Sequence, residues 1–335
     1  GCTENYEINV PAFRPILRNE AQALEEFVVS EQTSTRVVLA YINGVANAGV
    51  VDGLRKKLEG LNAMGVVDSA NLEMLLSGRM LFPVFGSTEK VDKVASKLLA
   101  GRVAVFVDGS PFVLTAPYVF AESLQSAEDY LKSPVYATVM RLLRVLALLL
   151  SLYFPAMYIA VLKYGPELLP DAVTAILRES REGMPLEPFF EIVIMLVVFE
   201  LLREVGIRMP RTVGDAVGIV GSLIVGDAAT EAGLASTVVV VVVAITAVCT
   251  FIVPMYMNAQ LLFRFVFLFA AYFFSFFGVI AATLLLLSYL AKKESFGVPY
   301  LSPLAPVVPA GMLDFLLAVP KRSMRRRDRL VGRKK

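Results

Sequence analysis

The chain has 335 residues, of which 56% are hydrophobic and 19% charged, with a mean hydropathy of +0.65. Soluble domains average roughly 45–50% apolar residues, so the composition argues against a purely soluble protein. Histidine is absent and only Cys2 and Cys249 could supply thiols, which removes zinc, haem and His-based catalytic constellations and any disulfide framework; no enzyme activity, cofactor or metal site is expected.

The first 133 residues are water-compatible, with 12 Lys/Arg and 16 Asp/Glu. The opening GCTENYEINVPAFRPILRNE carries acidic groups where a signal peptide would be apolar, so a cytoplasmic front is expected; because residue 1 is Gly, a longer parent chain is also expected. RVVLAYING (36–44) reads as a strand ended by Asn43-Gly44, and Val51, Leu54, Leu58 and Leu61 repeat at helical spacing. A second unit repeats this order, with Val91, Val94, Ala95 and Leu98 on a helix face before the strands RVAVFVDG and PFVLTAP. Alternating helices and short buried strands predict an α/β domain over 1–133. No phosphate-binding glycine loop follows a strand, and Asp108-Gly109 between two strands reads as a tight turn.

An all-α polytopic membrane domain of about four to five transmembrane helices, plus one short Gly-rich segment, is expected over 134–294. Val145 to Leu162 is charge-free, with Arg141 and Arg144 before it and Pro155 as a potential kink. PFFEIVIMLVVFELLREVGIRMPR gives a second span with Glu191 and Glu200 at membrane depth. Their nine-residue separation sends them to opposite sides of one helix. Two readings of these carboxylates stand: an ion path, or ion pairing of Glu200 with Arg203 and of Glu204 with Arg208.

The next stretch is apolar for only eleven residues between Asp215 and Asp227 and contains Gly214, Gly218, Gly221, Gly226 and Gly233. It is either a GxxxG packing helix or a short re-entrant helix beside a polar path; Gly214, Asp215, Val217, Gly218, Gly221, Gly226 and Asp227 are the candidate pore-lining or gating residues. Ala232 to Phe263 and Phe265 to Ala291 are charge-free and are counted as further spans, separated by Arg264. A Pro-rich juxtamembrane segment and basic tail complete the chain over 295–335. Lys321 to Lys335 carry a net +8 and the other 320 residues a net −6, so four spans with a re-entrant Gly-rich segment satisfy the positive-inside bias by placing both ends in the cytoplasm. The tail is expected to meet membrane lipids rather than nucleic acid.

Several blocks resemble the A subunits of GerA-type spore germination receptors and the related SpoVAF proteins. They are GRVAVFVDGSPF (Gly101 to Phe112), SPVYATVMRLLR (Ser133 to Arg144), FELLREVGIRMPRTVG (Phe199 to Gly214), GIVGSLIVGDAATEAGLAS (Gly218 to Ser236) and SFGVPYLSPLAP (Ser295 to Pro306), in the family's order. FPVFGSTEKVDKVA departs from the family pattern, with Lys90-Val91 where Arg-Pro is usual, and the family's first soluble subdomain is not represented. The resemblance implies an integral protein of the spore inner membrane with its N-terminal domain and tail on the core side. It implies homo-oligomerisation into a gated channel that releases monovalent cations, together with a transporter-like B subunit that senses nutrient and a lipoprotein C subunit. A proton-coupled transporter using Glu191 or Glu200 and a non-conducting scaffold are the competing classes; no internal repeat favours the transporter.

Overall fold

The computed structural model describes residues 2–5, 7–9, 11, 21–61, 63–78, 81–130, 132–210, 221, 224–308 and 315. Two compact units emerge: one contains 1–143 and 287–335, the other 144–286.

The first unit is built on a five-stranded antiparallel sheet. Its strands are β1 (Gln22–Val29), β2 (Thr35–Ile42), β3 (Gly86–Thr88), β4 (Val103–Val107) and β5 (Val113–Ala116), in spatial order β1-β2-β4-β5-β3. Its longer helices are α1 (Ala48–Glu59), α2 (Ser69–Ser77) and α3 (Val91–Leu99), with Asn47 and Asp68 capping the first two. On one sheet face Val38, Ala40, Ala104 and Phe106 pack against Val94, Ala95 and Leu98 of α3. Val37, Leu39 and Val105 alternate to the opposite face and are equally buried, so helices are needed on both sides. The expected turn is present: Gly109 has φ +82° and Ser110 N–H donates to Val107 O at 3.2 Å.

A C-terminal hairpin completes this unit. Its strands are β6 (Glu294–Ser295) and β7 (Val298–Pro299), at the start of the Pro-rich segment. The Ser295 hydroxyl donates to Val84 O at 2.8 Å and accepts from Tyr118 N–H at 3.0 Å, while Phe120 N–H donates to Tyr300 O at 2.8 Å. Lys293 is 9% exposed; its ammonium donates to Phe82 O at 2.9 Å and faces the rings of Phe82, Tyr289 and Tyr300. Burial lowers its pKa to about 8. Arg141, placed by the sequence before the first apolar run, is fully buried, with Nε 3.4 Å from Asp129 Oδ2.

The second unit is helical. Its elements are α4 (Pro134–Tyr164, whose first turns belong to the other unit), α5 (Asp171–Glu179), α6 (Pro188–Arg208), a helical segment over 224–231, α7 (Thr237–Ile252) and α8 (Met257–Lys292). Among the described residues two helical runs, Pro134–Tyr164 and Pro254–Lys292, are long and apolar enough to cross a membrane. At 21 and 16 residues, α6 and α7 are ~32 and ~24 Å long.

The boundary expected at Arg264 lies elsewhere. The chain breaks at Val253–Pro254, where proline cannot supply an i−4 hydrogen bond, and Arg264 sits inside α8. A second break follows at Ser275 (φ 59°). A Cβ on Gly278 would overlap the Ala270 carbonyl, although residues eight apart in a straight helix are separated by ~12 Å, so the backbone turns sharply here. The contacts on either side of the break give its direction. Arg264 meets Ser151, and Tyr272 meets Lys163 and Tyr164, so the first half of α8 runs parallel to α4. Thr283 then returns to Tyr153, so the second half runs back, and the apolar run Phe265 to Ala291 is folded on itself.

The same reasoning orders the other helices. Glu191 meets Ser236 and Phe199 meets Phe251, making α6 and α7 parallel. A Cβ on Gly221 would meet Leu202 at 3.0 Å, whereas Ala229 packs with Phe189 and Ile192, so the Gly-rich segment runs antiparallel to α6. Gly233 (φ +64°) ends that segment, with Leu234 N–H returning to Ala229 O at 2.8 Å.

Candidate functional site: two buried carboxylates in the helical unit

The helix α6 buries one stripe, with Phe189, Ile192, Met195 and Leu196, and exposes apolar Phe190, Ile194, Val197 and Leu201 elsewhere; its two carboxylates face different neighbours. Glu191, in the first turn, is fully buried. Its Oε2 accepts from Ser236 N–H at 2.8 Å, and Ser236 is the N-cap of α7. The carboxylate therefore sits where the α7 dipole and its unpaired N–H groups favour an anion. Arg181 lies on the other side, with NH1 3.7 Å from Oε1. The arrangement fixes the register of α6 against α7.

Glu200 faces the opposite way, as its spacing requires. Its Oε2 lies 2.7 Å from Arg203 and its Oε1 3.5 Å from Arg264, although neither contact is aligned as a hydrogen bond. Arg264 is fully buried and joins four helices: Nε donates to Ser151 O on α4 at 2.9 Å, NH2 donates to the Thr250 hydroxyl on α7, and NH1 approaches Glu200 on α6. Pro155 explains the first of these bonds. Residue 155 would ordinarily donate to the carbonyl of residue 151, but proline has no N–H, and Arg264 supplies the missing donor. Gln260, one turn earlier on α8, is 1% exposed and has no hydrogen-bond partner for either amide atom among the described residues.

One carboxylate and two guanidiniums leave this centre with a net charge of +1, which opposes cation passage through it. The pairing of Glu204 with Arg208 is present at 2.7 Å on the exposed end of α6. Sequence reasoning missed Arg181, Ser236, Gln260 and the role of Arg264. The available signal was a lone arginine in a 60-residue uncharged stretch, which calls for a buried partner.

Gly214, Asp215, Val217 and Gly218 lie outside the described residues. Gly221 packs against Leu202; a Cβ on Gly226 would lie 3.6 Å from Val240, so α7 approaches closely there. Asp227 is exposed, and its carbonyl accepts from the Thr230 hydroxyl at 2.8 Å. Glu191, Glu200 and Asp227 are not brought together, and among the described residues no three Cys, Asp or Glu side chains form a metal-binding group.

Comparison with known proteins gives the family. The family described as Bacillus/Clostridium GerA spore germination protein matches residues 1–330. Spore germination protein KA of Bacillus subtilis (strain 168) is 38% identical over 325 residues, covering 96% of this chain and 60% of the relative. Membrane protein YfkQ of the same organism, whose function is uncharacterised, is 36% identical over 338 residues, covering 99% of this chain and 66% of the relative. The crystal structure of the N-terminal domain of the A subunit of the Bacillus megaterium spore germinant receptor GerK3 aligns with 36% of this chain and 96% of its own length, at 37% identity and a TM-score of 0.30. The chain thus spans between 60% and 66% of the two curated relatives. With nearly every residue inside the match, the chain belongs to the GerA family of spore germination proteins.

Proposed function

We propose that the chain is the membrane-embedded part of an A-type germination receptor subunit, which oligomerises into a gated channel for monovalent cations and works with B-type and C-type subunits in the spore inner membrane. The observation that carries the oligomeric reading is the Arg264 centre. The interior of the helical unit is filled by side chains such as Ile192, Leu196, Val239 and Leu268, and its buried polar core carries +1. A cation path through one copy is therefore disfavoured on both steric and electrostatic grounds, and a path between copies is favoured.

The helix directions support a crossing order of α4 outward, α6 back, the Gly-rich limb outward, α7 back and the two halves of α8 outward and back. This amends the four-span expectation to six limbs. An even number also agrees with the β6–β7 hairpin, which lies after the last limb yet is seated on the domain that precedes the first. On this reading the N-terminal domain and the basic tail share the cytoplasmic side. The Gly-rich limb, with Asp215 and Asp227 towards its ends, is the proposed lining or gating element; Lys321 to Lys335 lie outside the described residues.

The test is reconstitution of the full-length subunit, with its B and C partners, into potassium-loaded vesicles. A closed multi-copy assembly and germinant-triggered efflux are expected, with Asp227→Asn or Val217→Ala altering conductance or threshold at unchanged oligomer size. A strictly monomeric, non-conducting protein would sink the channel reading. Normal efflux from both variants would remove the Gly-rich limb from the path.

A further inference from the structure

A cavity of about 550 Å³ opens at the end of α4 where Tyr272 and the turn of α8 arrive. Its floor is apolar, formed by Ile159, Leu162, Leu177 and Phe189, and three cations line it: Lys163, Arg178 and Arg181. Arg181 is already countered by the buried Glu191 carboxylate at 3.7 Å, so Lys163 and Arg178 are the cations left to a ligand. Glu187 accepts from the Tyr272 hydroxyl at 3.0 Å, and exposed Glu182 is in ion-pair range of no cation among the described residues. Arg178 has no carboxylate within ion-pair distance among the described residues. Among the described residues Arg181 NH1 has no aligned hydrogen bond, its contact being the 3.7 Å approach to Glu191, while Lys163 sits over the Tyr272 ring at 3.7 Å and donates to Tyr272 O at 3.3 Å.

The rim has a different character. Leu168 (67% exposed) and, on α5, Ile176 (59%) project outward, as do Phe273, Phe274 and Phe277 around the Ser275 turn (63–83%). Apolar side chains presented beside cations and tyrosines at a helix end suit the boundary between headgroups and acyl chains. A small water-soluble anion would use the cations and leave the apolar floor uncovered.

We propose that this cavity is a binding site for a phosphate-bearing amphiphile, with the phosphate held by Lys163 and Arg178 and an acyl chain lying along Ile159, Leu162 and Phe189. The phosphate offers the Arg178 guanidinium paired acceptors, and the floor supplies the chain-dependent part of the affinity. The site rests on the membrane reading of the helical unit and not on conduction, so binding without flux keeps the two claims separable.

The test uses the full chain in neutral detergent, titrated with dihexanoyl-phosphatidylglycerol, with glycerophosphoglycerol (the same headgroup without chains) and with inorganic phosphate. Saturable binding of the lipid is expected, with the chainless headgroup and inorganic phosphate each at least about tenfold weaker. Lys163→Gln/Arg178→Gln should weaken lipid binding at least about tenfold at unchanged elution volume and helicity. Arg178→Gln alone, at an exposed and unpaired position, should weaken it several-fold and decides the matter if the double variant misfolds. Inorganic phosphate binding as tightly as the lipid would identify a free-anion site and overturn the amphiphile; unchanged lipid affinity in Arg178→Gln and the double variant would overturn the site itself.

Discussion

The bond from Arg264 to the carbonyl of Ser151 ties a charged side chain to a defect in a neighbouring helix, and a two-residue cycle tests that link. Arg264→Met removes a hydrogen bond of 2.9 Å and leaves the Ser151 carbonyl, already deprived of its helical donor by Pro155, without a partner in the buried interior. An orphaned buried acceptor costs about 1–3 kcal/mol. Measured couplings between polar groups in membrane helices average lower, near ~0.6 with a maximum near ~1.7 kcal/mol, so about 1–2 kcal/mol is expected here. Pro155→Ala restores an N–H at the position that can reach Ser151 O. In the wild type this donor competes with Arg264, so the gain is small; in Arg264→Met it fills the vacancy. The double variant should therefore be more stable than the sum of the single effects predicts, by roughly 2–8 °C at about 2–4 °C per kcal/mol. The chain has no Trp, so unfolding in detergent is best followed by circular dichroism at the helix band. If Pro155→Ala shifts the midpoint equally with and without Arg264, the two residues are uncoupled and the proposed compensation is wrong.

Charge arithmetic makes a second prediction: Glu200→Gln leaves Arg203 and Arg264 facing each other without an anion, whereas Arg264→Met leaves the 2.7 Å Glu200–Arg203 pair neutral. Glu200→Gln should be the more damaging, by about 1–3 kcal/mol, in the same thermal assay, and the reverse order would contradict the net charge assigned to the centre. Lys293 gives a pH dependence. Burial lowers its folded pKa to about 8 from 10.5, so above pH 8 the unfolded chain holds the proton that the folded chain has lost, and stability rises with pH until both forms are neutral near 10.5. The hairpin's resistance to proteolysis should increase across that window, and Lys293→Met should abolish the increase.

Much of the α/β domain was legible because its strands are buried on both faces. RVVLAYI and VAVFV read as strands without any tertiary information, and the spacing in α1 and α3 reports one covered side each. The strand β1 escaped because QALEEFVV interrupts its apolar pattern with Glu25 and Glu26. Those side chains are tolerated at a sheet edge, where Glu25 is held by both Arg55, at 2.6 Å, and the Tyr41 hydroxyl. At three residues, β3 is too short for any period to register.

The helical unit was less legible because counting uncharged residues assumes that every charge marks a water-facing boundary. Arg264 violates that assumption. Its charge is compensated by Glu200, 64 positions away, and its donors by Ser151 and Thr250, none of which a local window contains. Helix direction is still more remote from sequence, and it changes the meaning of the glycines. Because Glu191 and Ser236 meet at one level, and α6 and α7 both run away from it, the chain between them must travel the length of α6 in the opposite sense. A connecting limb that runs beside two parallel helices needs small residues where it touches each. Gly221 stands against Leu202 of α6, and Gly226 against Val240 of α7. The close approaches at Gly221 and Gly226 call for small side chains at those two positions, while Ile224 between them stays 59% exposed.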